Sequence, residues 1–100
     1  MTYDNFSLSL ERYELRLRGE RTELTPKELQ LLYFLAVNPN KVFTREQLLD
    51  HVWGYQYLGN TRTVDAHVRK LREKCDGVSD RWGIRTIWGV GYKFEVVSST

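Results

Sequence analysis

Hydrophobic positions in the first quarter of the chain follow the two-residue period of a β-strand. Apolar residues alternate with polar ones in two runs: Phe6, Leu8 and Leu10, then Tyr13, Leu15 and Leu17. Alternation of this kind turns one side of a strand towards a core and the other towards solvent. Gly19-Glu20 marks a turn, and residues 21–24 supply a returning strand. Residues 5–24 therefore predict an antiparallel meander of short strands.

The spacing of apolar residues becomes helical after Thr25. Thr25 and Glu28 form the two halves of a capping box, and Pro26 suits the first helical position. The apolar residues that follow form a broad stripe: Leu29, Leu31, Leu32, Tyr33, Phe34, Leu35 and Ala36. A stripe this wide predicts a central core helix, which ends at the Asn-Pro-Asn sequence of residues 38–40.

A second and shorter helix is predicted after Thr44, which begins another capping box with Gln47. Its apolar positions are Leu48, Leu49, Val52 and Trp53. Gly54 ends this helix. The loop that follows, residues 55–60, is unusually apolar for an exposed connection, with Tyr55, Tyr57 and Leu58.

A third helix is predicted to begin near Asn60 or Thr61 and to be amphipathic and basic. One face is apolar: Val64, Val68, Leu71 and Cys75. The opposite side and its flanks are polar and basic: Arg62, Thr63, His67, Arg69, Lys70, Arg72 and Lys74. This spacing docks one side on a core and leaves the cationic side free. Asp76-Gly77 closes the helix.

The C-terminal segment predicts a β-hairpin. Ile84, Thr86 and Trp88 alternate with Arg85 and Ile87, so the buried face of the first strand stays open. Gly89-Val90-Gly91 supplies the turn, and the returning strand has an apolar side formed by Tyr92, Phe94 and Val96. Residues 98–100 form a frayed tail. Strands, three helices and a hairpin together predict an α+β fold, a helix-turn-helix with a wing.

Length and charge narrow the class of function. A chain of 100 residues suits one domain, 1–100. The net charge of +2 is small, but residues 60–75 hold five positive and two negative side chains. A concentration of positive charge on one helix is the electrostatic footprint of a nucleic-acid binder. A solvated helix face explains such a run equally simply when it is taken alone.

Several other classes lose support. No apolar run approaches the roughly 20 residues that span a membrane, and no signal-peptide pattern opens the chain. The single cysteine, Cys75, allows no internal disulfide, which favours the cytoplasm. The chain also lacks a nucleophile with a base and a cluster of carboxylates, so we expect neither an enzyme nor a cofactor.

Three residues have a structural and a functional interpretation. Cys75 is expected to fill the core, and a redox role would need partial exposure beside basic neighbours that lower its pKa. Asp65 is expected to pair with Arg62 or Arg69 rather than to take part in catalysis. His51, expected at the surface, lacks the close spacing to His67 and Cys75 that metal ligands show, so no metal site is expected.

Four collinear stretches carry a family resemblance. Residues 62–72, with the sequence RTVDAHVRKLR, resemble the recognition helix of the OmpR/PhoB family of response-regulator effector domains. Residues 24–29 resemble the opening of the family's first helix, and residues 42–48 and 52–55 its second helix and exit. Residues 86–92 resemble its wing. The match runs from about residue 5 to about residue 96. It implies an N-terminal four-stranded antiparallel sheet, three helices and a C-terminal β-hairpin wing.

The resemblance also implies a function. Such a domain is the output part of a two-component response regulator that binds double-stranded DNA sequence-specifically and regulates transcription. The recognition helix, about 61–75, enters the major groove, and the wing, about 84–96, meets the backbone or minor groove. A sensor kinase controls a phosphorylated receiver domain, which is absent from this chain. Two effector domains then bind direct repeats head-to-tail.

Site residues follow by position. Lys70 and Ala66 match positions that face bases, and Thr63 and Ala66 can contact a thymine methyl. The positions that contact the DNA backbone are Trp53, Arg62, His67, Arg69, Arg72, Thr86 and Tyr92. Core packing explains Trp53 and Tyr92 equally well. The loop with Tyr55, Tyr57 and Leu58 matches a segment that touches RNA polymerase, and packing within the loop is its alternative.

Two residues depart from the family pattern. Lys70 stands where an arginine often contacts a base, which implies a different preferred sequence. Trp88 stands where an arginine often enters the minor groove, and a neutral indole cannot exploit the negative potential of a narrow groove. Packing under the wing, stacking on a sugar and donation to a phosphate all stay open for Trp88. Arg85 is a weak substitute.

Three other functions compete with DNA binding. A winged helix used for protein contact would show apolar residues in place of Arg69, Lys70 and Arg72. A nucleic-acid enzyme would need the catalytic groups that the chain lacks. An RNA-binding domain would rely on aromatic platforms or shape recognition rather than on a helix in the major groove. The basic third helix favours duplex DNA.

Overall fold

The N-terminal segment forms a four-stranded antiparallel sheet. The structure, a computed structural model, describes residues 1–55, 57 and 59–97. The strands are, in sheet order, β1 Thr2–Tyr3, β2 Phe6–Ser9, β3 Glu14–Leu17 and β4 Glu20–Thr22. Buried apolar side chains face each other across β2 and β3, with Phe6 opposite Leu17 and Leu8 opposite Leu15. The predicted sheet is confirmed, and the tail proposed at residues 98–100 lies outside the described residues.

Leu10 and Tyr13 were expected to continue the buried face, and this expectation is wrong. Both side chains are exposed and lie between β2 and β3, where Tyr13 adopts a φ of 51°. The tight reversal of the chain breaks the two-residue alternation, so an apolar residue in the turn no longer points to the core. The hydroxyl of Tyr13 instead accepts a hydrogen bond from Gln30, at 2.5 Å.

The first helix, α1, spans Pro26–Ala36 and begins with the predicted capping box. The Thr25 side chain accepts from the Glu28 backbone at 3.2 Å, and the Glu28 carboxylate accepts from the Thr25 backbone at 2.8 Å. Each half of the box satisfies an amide that the helix leaves unpaired. Glu28 is buried, and the hydrogen bond from the Thr25 amide gives its carboxylate a partner.

The second helix, α2, spans Arg45–Leu48 and continues as a π-helical segment, Leu49–Trp53. Thr44 and Gln47 form its capping box, as predicted. Gly54 has a φ of 96° and ends the segment, with its amide donating to the Leu49 carbonyl at 2.9 Å. This left-handed φ explains the glycine.

The third helix, α3, spans Arg62–Cys75. Its predicted apolar face is confirmed, because all four of its members are buried: Val64, Val68, Leu71 and Cys75. The Asn60 side chain accepts a hydrogen bond from the Arg62 amide at 2.7 Å and so supports the first turn.

The wing consists of β6, Trp82–Ile87, and β7, Gly91–Val96. Trp82 and Ile84 are buried, so the even-numbered positions of β6 face the core. The sequence had left open which face of this strand is buried. A short strand, β5 Phe43–Thr44, pairs antiparallel with β7 and completes a second sheet in the order β5-β7-β6. The sequence did not predict β5. Gly91, expected in the turn, begins β7 instead.

An aromatic cluster joins the two sheets. The Phe6 ring centroid lies 5.0 Å from that of Trp82, and Trp82 and Phe94 stack at 5.4 Å. The Trp82 indole nitrogen donates to the Asp4 carbonyl at 2.5 Å, and the Tyr3 hydroxyl donates to the Ala36 carbonyl at 2.7 Å. These contacts hold the wing on the N-terminal sheet and α1. Among the described residues, no helix has the length and hydrophobicity needed to cross a bilayer.

Candidate nucleic-acid interface

The solvent-facing side of α3 presents the residues predicted to meet DNA. Arg62, Ala66, Arg69 and Lys70 are exposed, and Thr63 is half-buried. The buried face of the same helix fixes its rotation about its own axis, so these five side chains share one outward surface. A protruding helix with cations and short side chains on that surface has the shape and charge to enter a polyanionic groove.

His67 and Trp53 form an ordered pair beside this surface. The His67 Nδ1 atom lies 2.8 Å from the Thr63 carbonyl, which can only accept, so Nδ1 carries the proton. The rings of His67 and Trp53 meet edge to face at 5.0 Å. Lys27 lies 5.9 Å from the centre of the indole and donates to the Val52 carbonyl at 2.9 Å. Both rings are half-buried, so each combines packing with a solvent-facing edge.

Asp65 connects three elements through one carboxylate oxygen. Its Oδ1 accepts from the Arg45 Nε of α2 at 2.7 Å and from the Tyr92 hydroxyl of β7 at 2.5 Å. Partial burial raises the pKa of Asp65, but the hydrogen bonds from Tyr92 and Arg45 outweigh it and hold the pKa below its usual value. The expected pairing with Arg62 or Arg69 is wrong, because Arg45 takes the ion pair.

Tyr92 is buried between two arginines. Its ring centre lies 5.4 Å from the Arg45 guanidinium and 5.5 Å from that of Arg72. Burial, and then the neighbouring Asp65, raises the pKa of its hydroxyl. The Tyr92 hydroxyl donates its proton to Asp65, so its oxygen can only accept a further hydrogen bond. A phosphate oxygen is itself an acceptor and needs a donor. The predicted contact of Tyr92 with DNA therefore stays a prediction.

Arg72 links α3 to the wing. Its Nε donates to the Ile84 carbonyl at 3.1 Å, and its Nη2 donates to the Thr86 hydroxyl at 2.6 Å. These bonds orient the guanidinium and hold Thr86 beside the helix. Arg72 therefore has a structural role that Arg69, exposed one turn earlier, does not share.

The tip of the wing is apolar and exposed. The Trp88 side chain is 89% exposed and Val90 is 46% exposed. The alternative in which Trp88 packs under the wing is therefore wrong. Arg85 pairs with Glu95 at 3.1 Å, and the hydrogen bond from Arg85 lowers the pKa of Glu95. The Arg85 side chain thus pairs with a carboxylate along the strands of the wing and does not extend to the tip.

A groove of about 450 Å³, lined mostly by charged and polar residues, lies between α3 and the wing. Its lining includes Arg45, Asp65, Arg69, Arg72, Trp88 and Tyr92. The cations of α3 form one rim and the indole of Trp88 belongs to the other. The arrangement brings together residues that lie more than 40 positions apart in the chain.

The loop after α2 is only partly described. Tyr55 is 88% exposed, whereas the Tyr57 ring lies 6.3 Å from that of Trp53. Leu58, the third residue expected to contact RNA polymerase, lies outside the described residues. Tyr55 is thus the more exposed of the two described tyrosines of this loop, and Tyr57 is 38% exposed.

Cys75 fills core space, as predicted. Burial raises the pKa of its thiol to about 12, and the opposing effect of Lys74 is smaller. The partial exposure that a redox role requires is not met. His51 is exposed and stacks on Phe34 at 4.7 Å. Within residues 1–55, 57 and 59–97, no three potential metal ligands lie close together.

Sequence reasoning missed Arg45 as part of this site. The residue stands in the first turn of α2, and its partner Asp65 lies 20 residues further along the chain. Its place directly after the capping residue Thr44 is the only local signal, and that signal predicts a helix start rather than a contact with another helix.

Comparisons with known sequences agree with this geometry. The profile of the family described as "Transcriptional regulatory protein, C terminal" matches residues 19–94. ResD, a transcriptional regulatory protein of Bacillus subtilis, is 48% identical over 98 residues, 96% of this chain and 41% of ResD. YclJ, an uncharacterized transcriptional regulatory protein of that organism, is 52% identical over 91 residues, 90% of this chain and 40% of YclJ. The chain spans about two fifths of the length of these relatives.

Solved structures share the fold. The DNA-binding domain of the response regulator AdeR, in complex with an intercistronic region, is 29% identical with a TM-score of 0.82, covering 96% of this chain and 99% of that one. DrrB of Thermotoga maritima, described as an OmpR/PhoB homolog, is 34% identical with a TM-score of 0.82, covering 95% of this chain and 43% of DrrB. The chain belongs to the family of C-terminal domains of transcriptional regulatory proteins, and its fold is the winged helix of the OmpR/PhoB type.

Proposed function

We propose that the chain binds double-stranded DNA sequence-specifically and regulates transcription as the output domain of a two-component response regulator. Helix α3, within residues 61–75, enters the major groove, and the wing, 84–96, meets the backbone or minor groove. The observation that carries the proposal is the exposed cationic face of α3, which stands opposite a buried face and beside the wing.

Base contacts come from the middle of that face. B-DNA has a major groove about 12 Å wide, which admits a helix and exposes a distinct pattern of donors and acceptors for each base pair. Lys70 is exposed and donates hydrogen bonds, which suits guanine O6 or N7. The methyl groups of Ala66 and Thr63 suit the methyl group of thymine. These three residues select the sequence.

Backbone contacts surround the base contacts. Arg62, Arg69 and Arg72 supply charge, while Trp53, His67, Thr86 and Tyr92 border the same surface. Phosphate contacts position a protein on the duplex without selecting a sequence. Arg69 is the simplest of these to test, because it is exposed and the structure gives it no hydrogen-bond partner in the described part of the chain.

We expect Lys70→Ala to reduce the preference for the best duplex over single-base variants at one position by about tenfold, since one good base contact discriminates by about 1–3 kcal/mol. The measurement is a competition titration with a set of duplexes that each differ at one base pair. Discrimination should persist at the other positions. Equal weakening on all duplexes would contradict the assignment of Lys70 to a base.

We expect Arg69→Ala to weaken binding to every duplex and to lower the slope of log K against log salt concentration by about one, as the loss of one phosphate contact predicts. Titrations at several salt concentrations measure the slope. Arg12, exposed beside the N-terminal sheet, provides the control, because Arg12→Ala removes the same charge far from α3. An unchanged slope for Arg69→Ala would remove this residue from the interface.

The proposed function itself is tested by fluorescence anisotropy with random-sequence duplex DNA, single-stranded DNA and RNA. Tighter binding to the duplex with a steep salt slope supports the proposal. No preference for the duplex at low salt would contradict it and would favour a winged helix used for protein contact.

The partners follow from the same proposal. A receiver domain and its sensor kinase control the domain, and the two fifths of ResD and YclJ that the chain covers leave room for such a domain in those relatives. Two copies bind direct repeats head-to-tail, and the exposed Tyr55 belongs to the surface offered to RNA polymerase.

The match is to a family of transcription regulators rather than of enzymes. No catalytic activity or cofactor is proposed, and the location is the cytoplasm.

A further inference from the structure

The wing tip carries no charged residue. Residues 87–92 read Ile-Trp-Gly-Val-Gly-Tyr. The cations on the adjoining strands, Arg85 and Lys93, lie 3.1 and 3.4 Å from oxygens of the same Glu95 carboxylate. The tip therefore meets a ligand through apolar surface and not through charge.

The turn that carries the indole has a defined backbone. The Val90 amide donates to the Ile87 carbonyl at 2.9 Å, and Gly89 takes a φ of 78° that lets the chain reverse. The base of the wing is fixed to α3 by the hydrogen bond between Arg72 and Thr86, at 2.6 Å. A turn whose backbone is already ordered loses little backbone freedom on binding.

The position of Trp88 relates the tip to the cationic helix. The indole lines the same groove as Arg69 and Arg72 of α3. With α3 in the major groove, as proposed above, we expect the sugar-phosphate wall of the duplex to lie at this groove and the minor groove to lie just beyond it. Continuity with that surface favours DNA as the occupant of the wing tip.

The chemistry of the indole then determines which part of the DNA it contacts. An uncharged ring gains nothing from the strong negative potential of a narrow A-tract groove. Apolar side chains bind the minor groove by entering between base steps, which they partly unstack. Pyrimidine–purine steps such as TA and CA/TG unstack most easily.

We propose that Trp88, flanked by Val90, inserts into the minor groove beside the site of α3 and favours deformable pyrimidine–purine steps there. The wing thus contributes to specificity through DNA deformability, while α3 contributes through hydrogen bonds. This inference rests on the proposed binding of duplex DNA.

The test is a selection of duplexes from a random-sequence pool with the wild-type domain and with Trp88→Arg. Both proteins should enrich the same bases under α3. The wild type should enrich TA or CA/TG steps in the flank, and Trp88→Arg should enrich A-tracts there. The same flank for both proteins would overturn the role of Trp88 while leaving the proposed function intact. Failure of the wild type to enrich any duplex would overturn the proposed function itself.

Titration of a selected duplex gives a second readout. Trp88→Ala should lower affinity about tenfold, as expected for one lost stacking contact, without changing the salt slope. Tyr13→Ala is the control, because this exposed ring lies in the turn between β2 and β3, outside the proposed interface, and its loss should leave affinity unchanged. Unchanged affinity for Trp88→Ala, or an equal loss for Tyr13→Ala, would overturn the inference.

Sedimentation without DNA tests the alternative that the apolar wing tip binds a second copy of this chain. The inference predicts the same sedimentation for wild type and Trp88→Ala. A self-associated wild type that becomes monomeric on Trp88→Ala would identify the tip as a protein interface and overturn insertion into DNA.

Discussion

Gly91→Ala is expected to lower the free energy of unfolding by about 3 kcal/mol, at the upper end of what overpacking costs. A Cβ atom at this position would lie 1.9 Å from the Phe43 carbonyl oxygen and 2.8 Å from the Phe43 carbonyl carbon. Both obstructing atoms belong to the backbone, so no side-chain rotation relieves the clash. Strands β5 and β7, which pair Thr44 with Gly91, would have to separate.

Urea denaturation measures this loss, and thermal unfolding should show a fall in Tm of roughly 12–24 °C for a domain of this size. Val90→Ala is the control, because the neighbouring side chain is 46% exposed and its loss should change stability by less than about 0.5 kcal/mol. A Gly91→Ala variant as stable as the control would show that β5 does not approach β7 as closely as described.

Asp65→Ala is expected to weaken binding to a selected duplex about thirtyfold, although it removes a negative charge from the helix that faces DNA. Asp65 accepts hydrogen bonds from Arg45 and Tyr92, so its loss removes one of the links that hold α2, α3 and the wing together. Hydrogen bonds to a charged group contribute about 1.5–3 kcal/mol, part of which then reappears as a cost of ordering on binding. A general charge effect would instead strengthen binding, because removing one carboxylate lowers the repulsion of the polyanionic DNA.

Glu73→Ala provides the matched control for this sign. Glu73 is exposed on α3, lines the same groove and has no ion pair within the described residues. Its removal changes the net charge as Asp65→Ala does but leaves the contacts with Arg45 and Tyr92 intact, so binding should tighten slightly. Tighter binding in both variants would show that Asp65 affects binding only through its charge and would contradict its positioning role.

The same contacts make the stability effect of Asp65 dependent on pH. The pKa of Asp65 in the folded domain lies below its usual value of 3.8. Its contribution to stability is therefore complete above that value and is lost as the pH falls through the lower, folded pKa. The difference in unfolding free energy between wild type and Asp65→Ala should accordingly shrink below about pH 4. A difference that stayed constant in acid would show that the carboxylate charge does not contribute.

The sequence by itself determined most of the elements, β5 excepted, and the cationic helix face. Both capping boxes, at Thr25 and Thr44, involve residues three positions apart, so the local chain fully specifies them. The apolar face of α3 follows from the helical period alone. Periodicity indicated an antiparallel meander of short strands, and the family resemblance supplied its number of strands, four.

Only the tertiary structure decided which residues meet across elements. Asp65 takes Arg45 instead of a neighbour on its own helix, since the packing of α2 against α3 brings a residue 20 positions away closer to the carboxylate. Strand β5 has two residues and no alternation to reveal it, and it exists because β7 offers an edge. Trp88 is exposed because β6 ends at Ile87, which carries the indole past the last position where the wing covers the core. A local pattern specifies which side of an element is apolar, whereas contacts between distant segments depend on how those elements pack.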